Sequence, residues 1–113
     1  MAFGASAAIW ESHRLPVVRK NLALVANTIA AFDPVNMLVR EEDHALAEKL
    51  CGPSVNLLVH PIDDLWIRDT GPVFVKSPHG VPAGVGFNFN GWGEKQERDH
   101  AGRAINYSPE LCE

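Results

Sequence analysis

The sequence predicts an α/β fold, and three observations carry that reading. Apolar residues recur at steps of three or four over residues 15–32, the period of a helix. Two short apolar runs, residues 35–40 and 55–60, have the length and composition of strands. Between them, residues 41–50 open on acidic side chains and stop at Gly52-Pro53, the marks of a second helix. Helix and strand therefore alternate along the chain.

In residues 15–32 the apolar stripe is Leu15, Val18, Leu22, Val25, Ile29 and Phe32. Pro16 suits the first turn, where its missing N–H costs nothing. Asp33-Pro34 ends the helix, because the residue before proline is pushed out of the helical region. The run at 55–60 has a mostly apolar core, Val-Asn-Leu-Leu-Val, as expected for a strand covered on both faces. Gly71-Pro72 then turns the chain into a strand at 73–76. Ser77-Pro78-His79-Gly80 reads as a hairpin loop, and residues 83–90 return with Val85, Phe87 and Phe89 on one face. Residues 1–14 show no clear period. After Gln96 the chain is polar and aperiodic, so residues 1–96 are read as the α/β domain and 97–113 as a divergent, disordered tail.

Composition narrows the function. The 113 residues are enough for one small domain, and the formal net charge is −4. That balance argues against nucleic-acid or anionic-membrane partners and mildly favours a cationic ligand. Cys51 and Cys112 form no C-x-x-C spacing and no disulfide framework, which points to a reduced cytoplasmic setting. Residues 1–10 lack a basic n-region, so no signal peptide is expected. The longest apolar stretch, 22–32, is broken by Asn27 and Thr28 and is too short to cross a bilayer. No internal repeat, phosphate-binding loop or zinc motif is present, and no metal or organic cofactor is expected.

The chemistry concentrates in Asp63-Asp64-Leu65-Trp66-Ile67-Arg68-Asp69-Thr70-Gly71-Pro72, just after the second strand. Ligand sites of open α/β sheets lie at such strand ends. A carboxylate accepts two parallel N–H bonds from a guanidinium, and a tryptophan face attracts the same cation. The run thus reads as half of a guanidinium pocket, provided the segment turns so that Trp66 and Asp69 meet. Other readings stand beside it. Asp69 could pair with Arg68 or cap the turn at Gly71. Asp63 and Asp64 could be a catalytic pair, a solvated turn, or caps on backbone N–H groups. His60 could be a general base or structural, and Trp92 a pocket wall or a packing anchor. Cys51, at a helix C-terminus, has the wrong dipole end for a nucleophile and reads as a small core residue. Cys112 has no basic partner near it in sequence.

The ten-residue acidic run, with Gly-x-Asn-Phe-Asn-Gly-Trp-Gly-x-Lys-Gln at 86–96, resembles the agmatine deiminase family. That family is grouped with the bacterial peptidylarginine deiminases of the Porphyromonas type. Met-Leu-Val-Arg at 37–40 and Asp-His-Ala-Leu-Ala at 43–47 extend the resemblance over residues 1–96. It implies the pentein fold, a five-bladed α/β propeller, of which this chain would be the first ββαβ-type module, truncated. It implies hydrolysis of a guanidine: a cysteine thiolate attacks the guanidinium carbon, ammonia leaves, and water releases the ureido product. Asp69 matches the aspartate that grips the guanidinium. Trp66 matches the tryptophan that walls the substrate channel, and Asp63 lines the same entrance. Arg68 and Trp92 match positions of structural role.

The family's histidine and nucleophilic cysteine lie in later modules, and neither motif occurs in this sequence. Residues 1–6 resemble a family interior rather than a natural start. The expected ligand is agmatine or an arginine side chain, with putrescine formation as the metabolic setting. The isolated chain is expected to be inactive, and to self-associate or dock on a full-length paralogue through surfaces that other modules would cover. Two alternatives are a non-catalytic guanidine-, polyamine- or partner-binding fragment, and an amidinotransferase of the same fold.

Overall fold

The computed structural model describes residues 1–86. The chain divides into two compact units, Met1–Leu65 and Trp66–Glu113. The first unit runs β1 (Ala2–Phe3), α1 (Leu15–Ala30), β2 (Val35–Val39), α2 (His44–Cys51) and β3 (Val55–Val59). Short 3-10 turns at Glu41–Asp43 and Gly52–Ser54 flank α2. The strands form one parallel sheet in the order β1-β2-β3. Parallel neighbours need a long crossover, and α1 and α2 supply the two.

Side-chain alternation fixes the faces. Val35, Met37 and Val39 of β2 join Phe3, Ala23, Ala26, Ala47, Cys51 and Val55 in one core. Between them Asn36 and Asn56, paired in register, are exposed and joined by a 2.8 Å hydrogen bond from Nδ2 of Asn56 to Oδ1 of Asn36. A one-residue slip of β3 along β2 would turn Asn56 toward the core and break its bond to Asn36, so the pattern locks the register.

The α/β class read from the sequence stands, with four local corrections. First, the chain begins with a strand. A two-residue element has no period to read, yet Ala2 and Phe3 are buried and pair with Leu38 and Val39. Second, the face of α1 that is buried is not the bulky stripe. Ala23 and Ala26 are buried, whereas Val25, Ile29 and Phe32 are exposed. Alanine lets the α1 backbone approach α2, β2 and β3 closely, so small residues set the contact and large ones lie at its flank. Third, the helix expected over 41–50 splits into a 3-10 turn and α2. Fourth, β3 is not covered on both faces: Leu58 and Val59 are exposed.

In the second unit, α3 (Ile67–Thr70) precedes an antiparallel hairpin of β4 (Val73–Lys76) and β5 (Pro82–Val85). The loop between them is closed by Ser77, whose N–H donates to the carbonyl of Val81 at 2.9 Å. The returning strand ends at Val85 within the described residues. Phe87, Phe89, Trp92, Cys112 and the domain boundary at residue 96 lie outside them.

The packing of α1 generates a test. Ala26→Leu, at a position with no exposed surface, is expected to lower stability by about 1–3 kcal/mol through overpacking. Leu24→Ala, on the exposed side, should stay within about 0.5 kcal/mol. Urea unfolding followed by circular dichroism reads both.

Candidate guanidinium-binding turn

The site is built from the end of β3 outward. The N–H of His60 donates to the carbonyl of Val39 at 2.9 Å, which extends the sheet ladder by one residue. The ring Nδ1 of His60 lies 2.9 Å from the carbonyl of Pro61, a local contact that favours its structural reading. Residues 60–65 then run as a loop against the chain that follows β1.

Within that loop the two aspartates part company. Asp64 is buried, and its Oδ1 accepts hydrogen bonds from the Trp10 indole N–H at 2.9 Å and from the Leu65 N–H at 2.8 Å. That is the capping role, not half of a catalytic pair. Asp63 is half-buried in the first unit and is engaged by a neighbour.

Trp66 and Asp69 belong to the second unit, on a single helical turn. The Trp66 carbonyl accepts the N–H groups of Asp69 and Thr70 at 3.1 and 3.2 Å, and the Thr70 hydroxyl at 3.1 Å. Gly71 closes the turn, its N–H 2.7 Å from the carbonyl of Ile67. A Cβ at Gly71 would collide with that carbonyl, so the sequence Asp-Thr-Gly has a steric reason. Trp66 stands at the N-cap of this turn and Asp69 within it, three residues on. Both are exposed. Among the described residues no ion pair or side-chain hydrogen bond engages the Asp69 carboxylate. Neither Arg68 nor the Gly71 N–H takes it, so both competing readings of Asp69 lose their partner.

Sequence reasoning missed a second feature. Asp43 is buried and held by two guanidinium groups, Arg19 at 2.8 Å and Arg40 through Nε and Nη2. Arg40 also donates through Nη1 to the carbonyls of Gly4 and Ile62 and through Nη2 to that of Ala5. The visible signal was the Arg-x-x-Asp spacing of 40 and 43. The partner Arg19 lies 24 residues from Asp43 and carries no sequence signal.

Cys51 is buried beside Met37, with its Sγ 3.9 Å from the thioether sulfur. Burial pushes its thiol pKa up, so it is a core residue, as expected, and a poor nucleophile. Among the described residues no cluster of His, Cys, Asp and Glu could hold a metal, and no helix is long and apolar enough to cross a membrane.

Comparison with known proteins gives this geometry a context. The family model for Porphyromonas-type peptidyl-arginine deiminase matches residues 1–108. The chain is 37% identical over 87 residues to the agmatine deiminase of Stutzerimonas stutzeri, covering 76% of this chain and 23% of the relative. It is 40% identical over 70 residues to that of Pseudomonas putida, covering 61% and 19%. A solved structure of the agmatine deiminase of Enterococcus faecalis superimposes with a TM-score of 0.64 at 27% identity, over 74% of this chain and 23% of that one. The α/β fold therefore matches that of agmatine deiminase, and the chain spans about a quarter of the length of these relatives.

The buried thiol has a pH signature. Its folded pKa lies above the ordinary value of 9.0, so the unfolded state releases the proton first as pH rises. The stability it contributes is complete below that value and is lost as pH climbs toward the folded pKa. Unfolding at pH 7.5 and 10 is expected to show an alkaline loss that Cys51→Ala reduces. Peptide mass spectrometry after iodoacetamide treatment should find Cys51 unmodified in the native chain.

Proposed function

The chain belongs to the Porphyromonas-type peptidyl-arginine deiminase family, and we propose that it supplies the guanidinium-binding part of a guanidine-hydrolysing deiminase. The observation that carries this reading is the Asp69 carboxylate, exposed on the Trp66–Gly71 turn with no partner among the described residues.

Two oxygens of Asp69 accept two N–H groups of the planar cation, and the Trp66 ring faces its charge. This fixes the plane of the guanidinium, and hence the direction from which its carbon can be attacked. A thiolate adds to that carbon and forms a C–S bond. One nitrogen takes a proton and leaves as ammonia, and water then cleaves the C–S bond to release the ureido product and the thiol. A histidine moves the protons. Cys51, the one cysteine among the described residues, is buried with a raised pKa, so the thiolate comes from outside them, and His60 is held by a local contact and is not assigned as the base.

Agmatine is the proposed substrate, giving N-carbamoylputrescine on the cytoplasmic route to putrescine. A peptidyl arginine presents the same head group to the same turn. The 113-residue chain by itself binds the guanidinium without turning it over, because nucleophile and base act as a unit with the binding carboxylate. Within the pentein reading, exposed Leu58 and Val59 on β3 are where further modules, or a second copy, would pack.

Calorimetry with the purified chain tests this. Agmatine is expected to bind, and Asp69→Asn to weaken binding about tenfold or more, the scale of a lost charge-assisted bidentate contact. Trp66→Ala should weaken it by a smaller factor. No ammonia release is expected from the chain. Ammonia release abolished by Asp69→Asn would show that the chain carries its own nucleophile. Equal binding by wild type and Asp69→Asn would overturn the assignment of the turn.

A further inference from the structure

We propose that the outward face of α1 is a two-fold interface, on which a second copy of this chain docks with its own α1 antiparallel. This face belongs to the first unit and takes no part in the guanidinium reading of the Trp66–Gly71 turn.

Val17, Asn21, Leu24, Val25, Thr28 and Phe32 recur at helical steps along this face. Val17, Leu24, Val25 and Phe32 are 60%, 64%, 49% and 89% exposed. Phe32 follows α1 in a turn, and its N–H still reaches the Ile29 carbonyl at 2.8 Å, so it keeps to the track of the helix. The charged residues between 17 and 32 are Arg19 and Lys20. Arg19 turns inward to Asp43 at 2.8 Å, and Lys20 stands at one edge of the face. A surface helix ordinarily sets charged and polar groups against water. Here α1 presents four large apolar side chains and two uncharged polar ones, and a contiguous patch of that kind marks an interaction site.

The symmetry of the patch names the occupant. Its midpoint falls between Leu24 and Val25, and in an antiparallel two-fold pair residues equally far from that midpoint stand level across the axis. Val17 then meets Phe32, Asn21 meets Thr28, and Leu24 meets Val25: apolar on apolar, polar on polar, apolar on apolar. An isologous interface requires this self-complementarity, whereas a different segment of a longer chain would not impose it on α1. The Thr28 hydroxyl already donates to the Leu24 carbonyl at 2.8 Å, which leaves its oxygen to accept the Asn21 amide of the second copy. The two Lys20 side chains of such a pair are about nine residues, or ~13 Å, apart along the axis, so like charges do not meet. One helix face per copy is a small interface, and a Kd of about 10–100 μM is expected, the weak end of the range for areas below about 1,200 Å².

Sedimentation equilibrium on the 113-residue chain, between about 5 and 200 μM, reads the monomer–dimer balance. Leu58→Glu, which blocks association through β3, serves as the parent and is expected to dimerise. Added to it, Leu24→Glu should weaken the dimer about tenfold or more, because two carboxylates then meet beside the axis. Its circular dichroism should match that of the parent, since position 24 is exposed. Val17→Glu and Phe32→Lys should each weaken the dimer, and the chain carrying both should recover most of the loss. Within one copy those two positions are about 22 Å apart along the helix and cannot pair, so recovery reports a glutamate of one copy against a lysine of the other. A parent that stays monomeric at the top concentration would overturn the proposal. So would a Leu24→Glu chain that dimerises like the parent, or a double variant no tighter than the weaker single one.

Discussion

Asp43, held between the guanidinium groups of Arg19 and Arg40, is the interaction on which the first unit depends. The three side chains are 8%, 21% and 14% exposed, so the ions are largely removed from water. Such a cluster adds little net stability over apolar residues of the same shape, but breaking it strands unpaired charge at a cost of about 3–5 kcal/mol. Its value lies in what it joins. Arg19 comes from α1, Arg40 from the end of β2, and Asp43 from the turn before α2. Arg19 through Nη2 and Arg40 through Nη1 and Nη2 also donate to the carbonyls of Gly4, Ala5 and Ile62. One buried carboxylate thus ties together the segment after β1, both crossovers and the loop after β3.

This explains how a small sheet can carry a defined loop at its edge. A three-stranded parallel sheet with helices packed against it buries few large side chains: Phe3, Met37 and Val39 are the largest that are fully buried. Polar ties supply the specificity that a thin core lacks. Around the loop at 60–65 they are the Arg40 staple, the close approach of Gly4 and the Trp10–Asp64 bond. The second unit opens with the opposite character. Its turn is exposed, satisfied along its backbone, and presents a carboxylate and an indole.

Much of this was legible in the sequence, for local reasons. The bounds of α1, β2 and β3 follow from period, proline and glycine, which act within a few residues. The acidic run was readable because carboxylate, indole and glycine stand within one turn of each other. The face of α1 was not readable, because hydrophobicity ranks leucine and valine above alanine while close packing on α2 and the sheet selects alanine. The exposed end of β3 was misread because an apolar run does not say how much of its cover lies elsewhere. The Arg19–Asp43 and Trp10–Asp64 contacts, 24 and 54 residues apart, arise only from topology. Asp64 shows the limit most clearly: two adjacent aspartates look alike in sequence, and burial alone assigns one of them to the scaffold.

The central claim is that the Trp66–Gly71 turn recognises a guanidinium group and not merely a cation. Chemical-shift mapping on the nitrogen-15-labelled chain addresses it directly, with agmatine compared against putrescine, which keeps the amine and lacks the guanidinium. The account predicts saturable shifts at the Trp66 indole and at the amides of Asp69, Thr70 and Gly71 with agmatine, and none of comparable affinity with putrescine. Equal shifts with both ligands, or agmatine shifts confined to residues outside the turn, would contradict it.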